Sequence, residues 1–379
     1  MKLFLIAGEP SGDRLGATLM AGLKTLQPNV EFAGIGGPLM QAQGLQSLFA
    51  MEELSIMGIA EVLPKYRALK RRIAQSAAAA LACAPAAMIT IDSPDFSLRV
   101  AKIVKQARPT LRTIHYVAPS VWAWRPGRAT KMAKVIDHVM ALLPFEPPYM
   151  TAAGMTCDFV GHPVVSDPVA TPADGARFRA NHGIAADVPL LLVLPGSRKG
   201  EITRLAPRFG AVVTAVIAQR PTARVLIQSL QSQAPLVAEM TKDWPGAPVH
   251  LISPSLAERA AAFTAADVAL AASGTVSLEL AAQSCPMVIG YDLNRLTYWL
   301  MRRMMRVGTV TLVNLVTNTR TVPEFLGERC RADLITPAVL HLLENQTDQI
   351  AAMRQTMILL GQGNDAPGLR AARSVLSAL

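Results

Sequence analysis

Short apolar runs alternate with segments of helical periodicity along most of this chain. Each run is bounded by glycine, proline or small polar residues, as buried parallel strands joined by helices usually are. The alternation predicts an α/β protein of two doubly wound, Rossmann-like domains that face a cleft. The predicted strands are Lys2–Ala7, a strand ending at Gly34, Ala87–Ile91, Arg112–Val117, Val139–Leu143, Cys157–Val160, Leu190–Leu194, Val225–Gln228, Val249–Ile252 and Val268–Ala272.

The stretch from Pro163 to Pro172 marks the boundary between the two predicted domains. It contains Pro168 as well and shows little periodicity, which is typical of an interdomain linker. With 379 residues, the chain is long enough for each domain to bury a core of its own. We place the domains at residues 1–163 and 164–365, and we expect residues 366–379 to form a last helix that packs across the domains.

The charge balance narrows the class of partner. Lys and Arg total 37 against 27 acids, a net charge of +10, which suits nucleic acid, an anionic membrane surface or phosphorylated substrates. The basic residues lie beside apolar residues rather than beside aromatic stacking platforms. This favours phosphate groups and a membrane surface over nucleic acid.

Targeting and redox features indicate a cytosolic setting. No run of eighteen or more apolar residues occurs, so no membrane-spanning helix is predicted. The first residues, through Glu9, are too short and too soon acidic for a signal peptide and fit a first strand. The four cysteines are scattered without pairing or metal spacing, which favours a reducing compartment and argues against a zinc site.

A strand, turn and helix start near the end of the second domain form a candidate anion site. Strand Val268–Ala272 is followed by the turn Ser273-Gly274-Thr275 and then by helical spacing from Val276 to Gln283. A helix beginning directly after a strand points free N–H groups and a positive dipole end into the crevice above the sheet. Glu279, one turn in, could accept hydrogen bonds from a ribose. The alternative is an ordinary helix start with Glu279 simply solvated.

The turn after Leu190–Leu194 has the same design. Ser197 and Arg198 follow Pro195-Gly196, so small residues and a cation stand at a helix start. Further along, Leu312 to Leu315 is predicted to be a strand end that carries the amide of Asn314.

The first domain offers two polar turns after strands. Gly8, Ser11, Gly12 and Asp13 belong to a glycine-rich turn that leads into a helix and allows close approach of a ligand. It lacks the lysine of a P-loop and the spacing of a dinucleotide fingerprint.

The second polar turn holds two aspartates. Asp92 follows strand Ala87–Ile91, where an acid faces the ligand crevice and could act as a base. Asp92 could equally be a turn residue, and Asp95 a helix-start residue beside Pro94. Which of the two is the base stays open.

A loop rich in tryptophan and arginine follows the strand Arg112–Val117. Trp122, Trp124 and Arg125 lie there between prolines, and they offer a rigid apolar wall and bidentate phosphate donors. Lys131 and Lys134 extend the positive patch.

Two basic amphipathic segments are candidates for membrane contact. Leu63, Tyr66, Leu69 and Ile73 share one helical face, while basic residues up to Arg72 crowd the others. The run from Leu293 to Val307 repeats this arrangement with interleaved arginines. Either segment is a core-facing helix with a charged back, or a helix that lies on an anionic bilayer, and a dimer surface is a further alternative for the second.

Several stretches of the chain, taken in order, closely resemble the lipid-A-disaccharide synthase family, and the His115–Trp124 run is the most specific. These stretches are Gly8–Asp13, Met57–Val62, Ile91–Phe96, His115–Arg125, Leu194–Arg198 and Ala272–Thr275. The resemblance implies a GT-B fold with an acceptor- and lipid-binding first domain and a UDP-sugar-binding second domain.

The same resemblance implies an inverting glycosyltransferase. It would move 2,3-diacylglucosamine from UDP-2,3-diacylglucosamine onto 2,3-diacylglucosamine 1-phosphate (lipid X), giving a β(1→6)-linked disaccharide and UDP. Such enzymes act at the inner face of the cytoplasmic membrane of Gram-negative-type bacteria, need no metal or other cofactor, and can form homodimers. The chain has no Asp-X-Asp metal motif, in keeping with this.

Site roles also follow from the resemblance. Asp92 matches the general base of the family, and Ser273, Gly274 and Thr275 match its diphosphate loop. Arg198, Glu279 and Asn314 match donor-site positions of the family. From the turns and the loop described above, we add Ser197 to the donor site and expect Gly8, Ser11, Gly12, Asp13, Trp122 and Arg125 to line the cleft.

Two rival interpretations remain. A non-catalytic nucleotide- or membrane-binding module would keep the features from Ser273 to Glu279 but would not need Asp92. Another GT-B enzyme, such as a UDP-sugar 2-epimerase or the lipid-linked N-acetylglucosaminyl transferase of peptidoglycan synthesis, would share the fold. An epimerase should show more acids and histidines in the cleft and no basic, apolar surface.

Overall fold

The chain folds into two compact units. This computed structural model of the protein describes residues 1–54, 59–292 and 307–379, with side chains from residue 67 onward in the second range. The first unit comprises Met1–Val165 and Gly363–Leu379, and the second comprises Ser166–Gln362. The predicted membrane segment from Leu293 to Val307 lies almost wholly outside the described residues, as do the residues from Ser55 to Gly58.

Each unit contains one sheet in which every described strand pair is parallel. The described strands are β1 (Lys2–Ala7), β2 (Glu31–Ile35), β3 (Gln46–Ser47), β4 (Ala87–Ile91), β5 (Arg112–Tyr116), β6 (His138–Ala141), β7 (Thr156–Phe159), β8 (Leu190–Leu194), β9 (Arg224–Ser229), β10 (Val249–Ile252), β11 (Val268–Ala272), β12 (Met287–Tyr291) and β13 (Glu324–Leu326). The first sheet has the order β3-β2-β1-β4-β5-β6-β7, and the second has the order β10-β9-β8-β11-β12-β13. The α/β, doubly wound prediction is therefore confirmed.

Helices connect the strands. The described α-helices are α1 (Pro10–Leu26), α2 (Pro38–Ala42), α3 (Ile59–Cys83), α4 (Pro94–Ala107), α5 (Gly127–Met132), α6 (Pro147–Thr151), α7 (Pro172–Asn181), α8 (Lys199–Gln219), α9 (Ala234–Thr241), α10 (Leu256–Ala265), α11 (Val276–Ala282), α12 (Leu312–Thr317), α13 (Ala332–Glu344), α14 (Thr347–Leu359) and α15 (Pro367–Ala378). Several begin with a proline in the first turn, where its fixed φ and missing N–H cost nothing.

The central strands are buried along their whole length, which explains why apolar runs predicted them so well. β4, β8 and β11 are completely buried, because helices cover both faces of a parallel sheet. The predicted bounds of these three strands, and of β1 and β10, agree with the structure.

The terminal helix α15 packs in the first unit. A Cβ on Gly22 of α1 would lie 2.6 Å from the carbonyl oxygen of Gly368, so the two helices meet backbone to backbone. The Ser374 hydroxyl donates to the Asp158 carboxylate at 2.8 Å and lies 2.8 Å from Nε2 of His138. We expected this helix to pack across the domains, and the contacts described here are those with the first unit.

Candidate functional site

The strand order of the second unit creates a crevice between β8 and β11. These strands are neighbours although the chain leaves them in opposite directions across the sheet, to β9 and to β12. At such a switch point the turns after the carboxyl ends of the strands separate and leave room for a ligand. A cavity of about 350 Å³ lies there. It is lined by Leu194, Gly196, Ser197, Arg198, Glu201, Gln228, Ser229, Leu230, Arg259, Ala272, Ser273, Gly274, Thr275, Val276 and Glu279.

The fold brings most of the predicted donor-site residues together in this cavity. Ser197 and Arg198 come from the turn after β8, and Ser273 to Thr275 come from the turn after β11. Glu279 enters from the first turn of α11. Residues far apart in the chain therefore share one wall, because their strands pair directly.

The turn after β8 is held by a carboxylate that the sequence analysis missed. Glu201 Oε2 accepts from the backbone N–H groups of Ser197 and Arg198 at 3.2 and 3.3 Å. Gly196 has a φ of +111°, and a Cβ there would lie 2.8 Å from the Glu201 Cβ, so only glycine suits the turn. The Arg198 side chain lies 3.6 Å from Glu201 and is 68% exposed, which leaves its guanidinium accessible to an anion.

The turn after β11 lines the same cavity with small polar groups. The Ser277 hydroxyl donates to the Gly274 carbonyl at 2.9 Å and fixes the start of α11. Gly274 and Thr275 are exposed. Glu279 is half-buried and forms an ion pair with Arg259 of α10 at 3.2 Å.

Arg259 and the end of β9 were also missed. Arg259 lies within a helix and forms no recognisable turn motif. Gln228, Ser229 and Leu230 follow an apolar run without glycine or acid, so only the polar Gln-Ser pair at a strand end could have signalled them. Their place in the cavity depends on the pairing of β9 with β8, which the sequence alone does not reveal.

Asn314 does not line this cavity. The prediction of a strand end at Leu312–Leu315 is wrong. The segment is the helix α12, and Asn314 is fully buried. Its amide donates to the Val322 carbonyl and accepts from the Val322 N–H, both at 2.9 Å. Glu324 accepts from the N–H groups of Val310 and Thr311, the two residues that directly precede the helix. Short apolar runs fit either element, and these polar partners decide for the helix.

In the first unit the corresponding switch point lies between β1 and β4. The turns after these strands touch, since a Cβ on Gly8 would lie 2.7 Å from the Ser93 hydroxyl oxygen. Asp92 and Ser93 both have left-handed backbones, with φ of +50° and +45°. The Asp92 N–H donates to Tyr116, and the Asp92 carbonyl accepts from Ser97. These bonds fix the Asp92 backbone, while its half-buried carboxylate has no hydrogen bond within the described ranges.

Asp95 lies in the first turn of α4 and is exposed. Asp92 stands instead at the strand end. The two aspartates therefore differ in burial and in the rigidity of their backbone.

The glycine-rich turn after β1 is shorter than we predicted. Helix α1 already begins at Pro10, so Ser11, Gly12 and Asp13 lie in its first turn rather than in a loop. Asp13 is 3% exposed, and its carboxylate accepts from three backbone N–H groups. The donors are Gly37, Leu39 and Met40 at 2.9 to 3.0 Å. Asp13 therefore holds the start of α2 and has little capacity left for a ligand.

The loop that contains Trp122 and Trp124 is hydrogen-bonded to a buried carboxylate, that of Glu146. Trp122 Nε1 donates to Glu146 at 3.2 Å, and the Trp122 ring meets Phe145 edge-on with 5.1 Å between centroids. Burial raises the pKa of Glu146 to about 7. Arg125 is exposed and stacks on Trp124, with its guanidinium 4.4 Å from the ring centroid.

Two histidines near these turns are held neutral. His115 Nδ1 lies 2.7 Å from the Thr90 hydroxyl, and burial lowers the pKa of His115 to about 4. Burial, followed by the nearby charge of Arg14, lowers the pKa of His162 to about 4. Both imidazoles are therefore poor proton acceptors at neutral pH.

The described part of α3 has buried apolar side chains on one side and exposed basic side chains on another. Ile73 is buried and Leu69 partly so, which supports a core-facing side. Arg72 donates to both carboxylate oxygens of Glu53 at 2.7 to 2.9 Å and stacks over Phe49. Arg72 is thus committed to the fold, whereas Arg67, Lys70 and Arg71 are exposed.

No helix in the described ranges is long and apolar enough to cross a membrane. Among the same residues, no group of three or more His, Cys, Asp and Glu side chains is placed to hold a metal ion.

Comparisons with known proteins give one consistent family. The family described as lipid-A-disaccharide synthetase matches residues 3–366. A lipid-A-disaccharide synthase of Ruegeria pomeroyi is 58% identical, over 100% of this chain and 96% of that protein. One of Rhodospirillum centenum is 47% identical, over 100% of this chain and 94% of that protein.

Solved structures share the fold at low identity. UDP-GlcNAc 2-epimerase from Neisseria meningitidis bound to UDP-GlcNAc has a TM-score of 0.63 at 10% identity, over 100% of this chain and 99% of that one. A protein from Anabaena in complex with UDP and glucose has a TM-score of 0.58 at 12% identity, with the same coverage. These similarities establish the two-unit fold of GT-B glycosyltransferases and epimerases.

Proposed function

Because this chain belongs to the lipid-A-disaccharide synthetase family, we propose that it transfers 2,3-diacylglucosamine from UDP-2,3-diacylglucosamine to lipid X with inversion. Membership makes the chain a GT-B glycosyltransferase of lipid A disaccharide synthesis. The proposal adds the substrates, the stereochemistry and the residues. The products are the β(1→6)-linked tetraacyl disaccharide 1-phosphate and UDP.

The observation that carries the proposal is the convergence of six predicted donor-site residues on the cavity of the second unit. They are Ser197, Arg198, Ser273, Gly274, Thr275 and Glu279. Arg198 and the two turns would bind the diphosphate through a cation and backbone N–H groups. Glu279 would accept from the ribose, oriented by Arg259.

Asp92 is the proposed general base. Its carboxylate would take the proton from the 6-hydroxyl of the acceptor as that oxygen bonds to the anomeric carbon of the donor. The bond from that carbon to the diphosphate oxygen breaks, and UDP keeps the electron pair. Arg198 and the helix start would stabilise the departing charge, so we propose a metal-independent reaction.

The first unit is the proposed acceptor and membrane unit. The exposed basic residues Arg67, Lys70 and Arg71 lie on α3, where they could meet anionic lipid. We place the enzyme as a peripheral protein at the inner face of the cytoplasmic membrane. A homodimer also belongs to the proposal, and sedimentation equilibrium tests it.

The deciding experiment incubates the purified protein with both lipid substrates and follows UDP release together with disaccharide formation. The proposal requires both, in equal amounts, with a β-linked product. Activity should survive a chelator. UDP release without disaccharide, or conversion of UDP-GlcNAc to its 2-epimer, would overturn it.

A further inference from the structure

Four lysine side chains converge on a cavity of the first unit, which has a volume of about 390 Å³. Its lining comes from the last turns of α4 and from the segment that runs from α5 toward β6. The lining residues are Lys102, Lys105, Gln106, Lys131, Lys134 and Val135. The sequence predicted that Lys131 and Lys134 extend a positive patch, and the fold adds two lysines of α4 to them.

The cavity lies away from the proposed base. α4 begins at Pro94, just after the Asp92 turn at the carboxyl end of β4, and it ends shortly before the amino end of β5. Lys105 lies about three turns beyond Pro94, roughly 16 Å along the helix axis. Val135 likewise lies shortly before the amino end of β6. A ligand in this cavity is therefore held at the opposite edge of the sheet from Asp92.

The fold accounts for one of the four lysines. Lys105 Nζ donates to the two carboxylate oxygens of Asp137 at 2.9 and 2.7 Å, and to the Pro109 carbonyl at 3.2 Å. The Thr113 N–H and hydroxyl also donate to Asp137, each at 2.9 Å. Asp137 is thus committed to Lys105 and to β5, and it does not line the cavity.

The other three lysines have no counter-charge. Lys102, Lys131 and Lys134 are exposed, and none of them forms a hydrogen bond or an ion pair within the described ranges. Among the described residues that line the cavity, none is acidic. Ammonium groups gathered in one concave site repel one another and focus a positive field there. Lysines that only solvate a surface gain nothing by converging, so this arrangement points to a bound anion.

The lining also indicates the class of anion. Three ammonium groups match the charge of two or more neighbouring phosphate groups, because each phosphate accepts charge-assisted hydrogen bonds and carries at least one negative charge. The Gln106 amide can add a neutral donor. The described lining contains no aromatic side chain, so it lacks the stacking surfaces on which proteins hold single-stranded nucleic acid.

We propose that Lys102, Lys131 and Lys134, beside the fixed Lys105, bind an anion that carries at least two neighbouring phosphate groups. The site is separate from the phosphate-binding turns of the second unit and from Asp92. It does not depend on the proposed transfer reaction. Its ligand is a soluble polyphosphorylated compound or a lipid headgroup with two phosphates, and one experiment distinguishes these sources.

Site-resolved lysine acetylation of the full chain tests the site. The probes are inorganic tripolyphosphate, inorganic phosphate, and phosphatidylcholine vesicles with or without cardiolipin, and mass spectrometry measures the acetylation of each lysine. Tripolyphosphate should protect Lys102, Lys131 and Lys134 at concentrations roughly tenfold lower than inorganic phosphate requires, because it contacts several ammonium groups at once. Lys24 of α1 and Lys242 just beyond α9 are exposed and outside the cavity, so their acetylation should not change with either soluble probe.

Calorimetry with tripolyphosphate, in an excess of UDP that occupies the proposed donor site, measures a triple variant. The variant replaces the three unpaired ammonium groups with amides: Lys102→Gln, Lys131→Gln, Lys134→Gln. It should bind tripolyphosphate roughly tenfold or more weakly than the wild type, because three charged donors are lost. The matched control loses the same charge from exposed positions outside the cavity: Lys24→Gln, Arg329→Gln, Arg354→Gln. This control should bind tripolyphosphate as the wild type does.

Protection by tripolyphosphate and not by the cardiolipin vesicles supports a soluble ligand, and protection that requires cardiolipin in the vesicles supports a lipid headgroup. Absence of protection by every probe would overturn the site, whether or not the variants fold. Protection of Lys24 and Lys242 to the same extent as the three lysines would also overturn it, because it would show unspecific attraction. Wild-type affinity for tripolyphosphate in the triple variant would remove these lysines from any such site.

Discussion

The Arg259 guanidinium lies 3.2 Å from the Glu279 carboxylate, and both side chains line the cavity of the second unit. Arg259 comes from α10 and Glu279 from α11, so the ion pair ties two helices together beside the proposed ribose site. The pair orients the carboxylate within that cavity.

Glu279→Gln should weaken UDP binding by about 1–3 kcal/mol, because a charged acceptor is lost from a cleft. Isothermal calorimetry measures this directly. Glu258→Gln is the control, since Glu258 neighbours Arg259 but is exposed and outside the cavity. Unchanged UDP affinity in Glu279→Gln would exclude a contact between Glu279 and the ribose and leave only its ion pair with Arg259.

Asp92→Asn should lower turnover roughly hundredfold or more while UDP affinity and stability persist, which is the usual scale of general base catalysis. The measurement is kcat with saturating substrates under conditions in which chemistry is rate-limiting. Asp95→Asn, on the exposed first turn of α4, should retain most activity. Near-normal turnover in Asp92→Asn with a large loss in Asp95→Asn would transfer the role to Asp95.

The double variant Arg67→Ser, Arg71→Ser should bind anionic phosphatidylglycerol vesicles less tightly, by about 1 kcal/mol for each charge lost near the surface. Flotation at low and high salt measures it. The control is the double variant Arg329→Ser, Arg354→Ser, which loses the same charge from exposed positions of the second unit. This variant should bind the vesicles as tightly as the wild type. Arg72→Ser should instead lower stability, because Arg72 pairs with Glu53. Equal vesicle binding by both double variants would exclude α3 as the contact.

Gly8→Ala should lower the free energy of unfolding by about 1–3 kcal/mol, since the new Cβ would lie 2.7 Å from the Ser93 hydroxyl oxygen. Urea denaturation measures the change. Gly127→Ala is the control: a Cβ there meets no atom within 4 Å, and no loss is expected. Adding Ser93→Gly to Gly8→Ala should recover much of the stability. It removes the clashing hydroxyl and suits the left-handed backbone at that position.

Glu146 should make stability depend on pH. Burial raises the pKa of Glu146 from 4.5 to about 7. Between these two values the folded protein therefore holds a proton that the unfolded chain releases. The contribution of Glu146 to stability is greatest below pH 4.5 and is lost as the pH rises through 7, with a slope of up to about 1.4 kcal/mol per pH unit.

Urea denaturation of the wild type and of Glu146→Gln across that window isolates the effect. Glu146→Gln should remove this part of the slope. The Trp122 environment should change near pH 7 in the wild type only, because Trp122 donates to Glu146. The Cys157 thiol also faces this carboxylate, and burial, followed by that charge, raises the pKa of Cys157 far above the window. A slope that survives in Glu146→Gln would assign it to other groups.

Burial explains which elements the sequence revealed. β4, β8 and β11 are buried throughout, so their apolar runs show both the element and its limits. Leu312 to Leu315 is also mostly apolar, but it belongs to the helix α12, in which Asn314 bonds to Val322 and the preceding Thr311 bonds to Glu324. Such partners lie several residues away, where periodicity carries no information.

The residues of the candidate site also differ in how well the sequence predicts them. Turns with glycine and small polar residues, such as Ser273 to Thr275, have local sequence signatures. Gln228 and Arg259 have none, because their place in the cavity depends on strand order and on the ion pair with Glu279. Asp13 has a turn-like context, yet its carboxylate is used by the backbone of Gly37 and Met40.

The packing of α15 on α1 has a consequence for synthesis of the chain. The first unit is assembled from Met1–Val165 and Gly363–Leu379, so the whole second unit is inserted between its parts. During translation, residues 1–165 leave the ribosome first, so the face of α1 that carries Gly22 is still uncovered. Gly368, which packs against it, is added only after the second unit has been translated. The second unit, whose sequence is continuous, can therefore complete its fold first, reversing the usual order in which the amino-terminal domain matures ahead of the next.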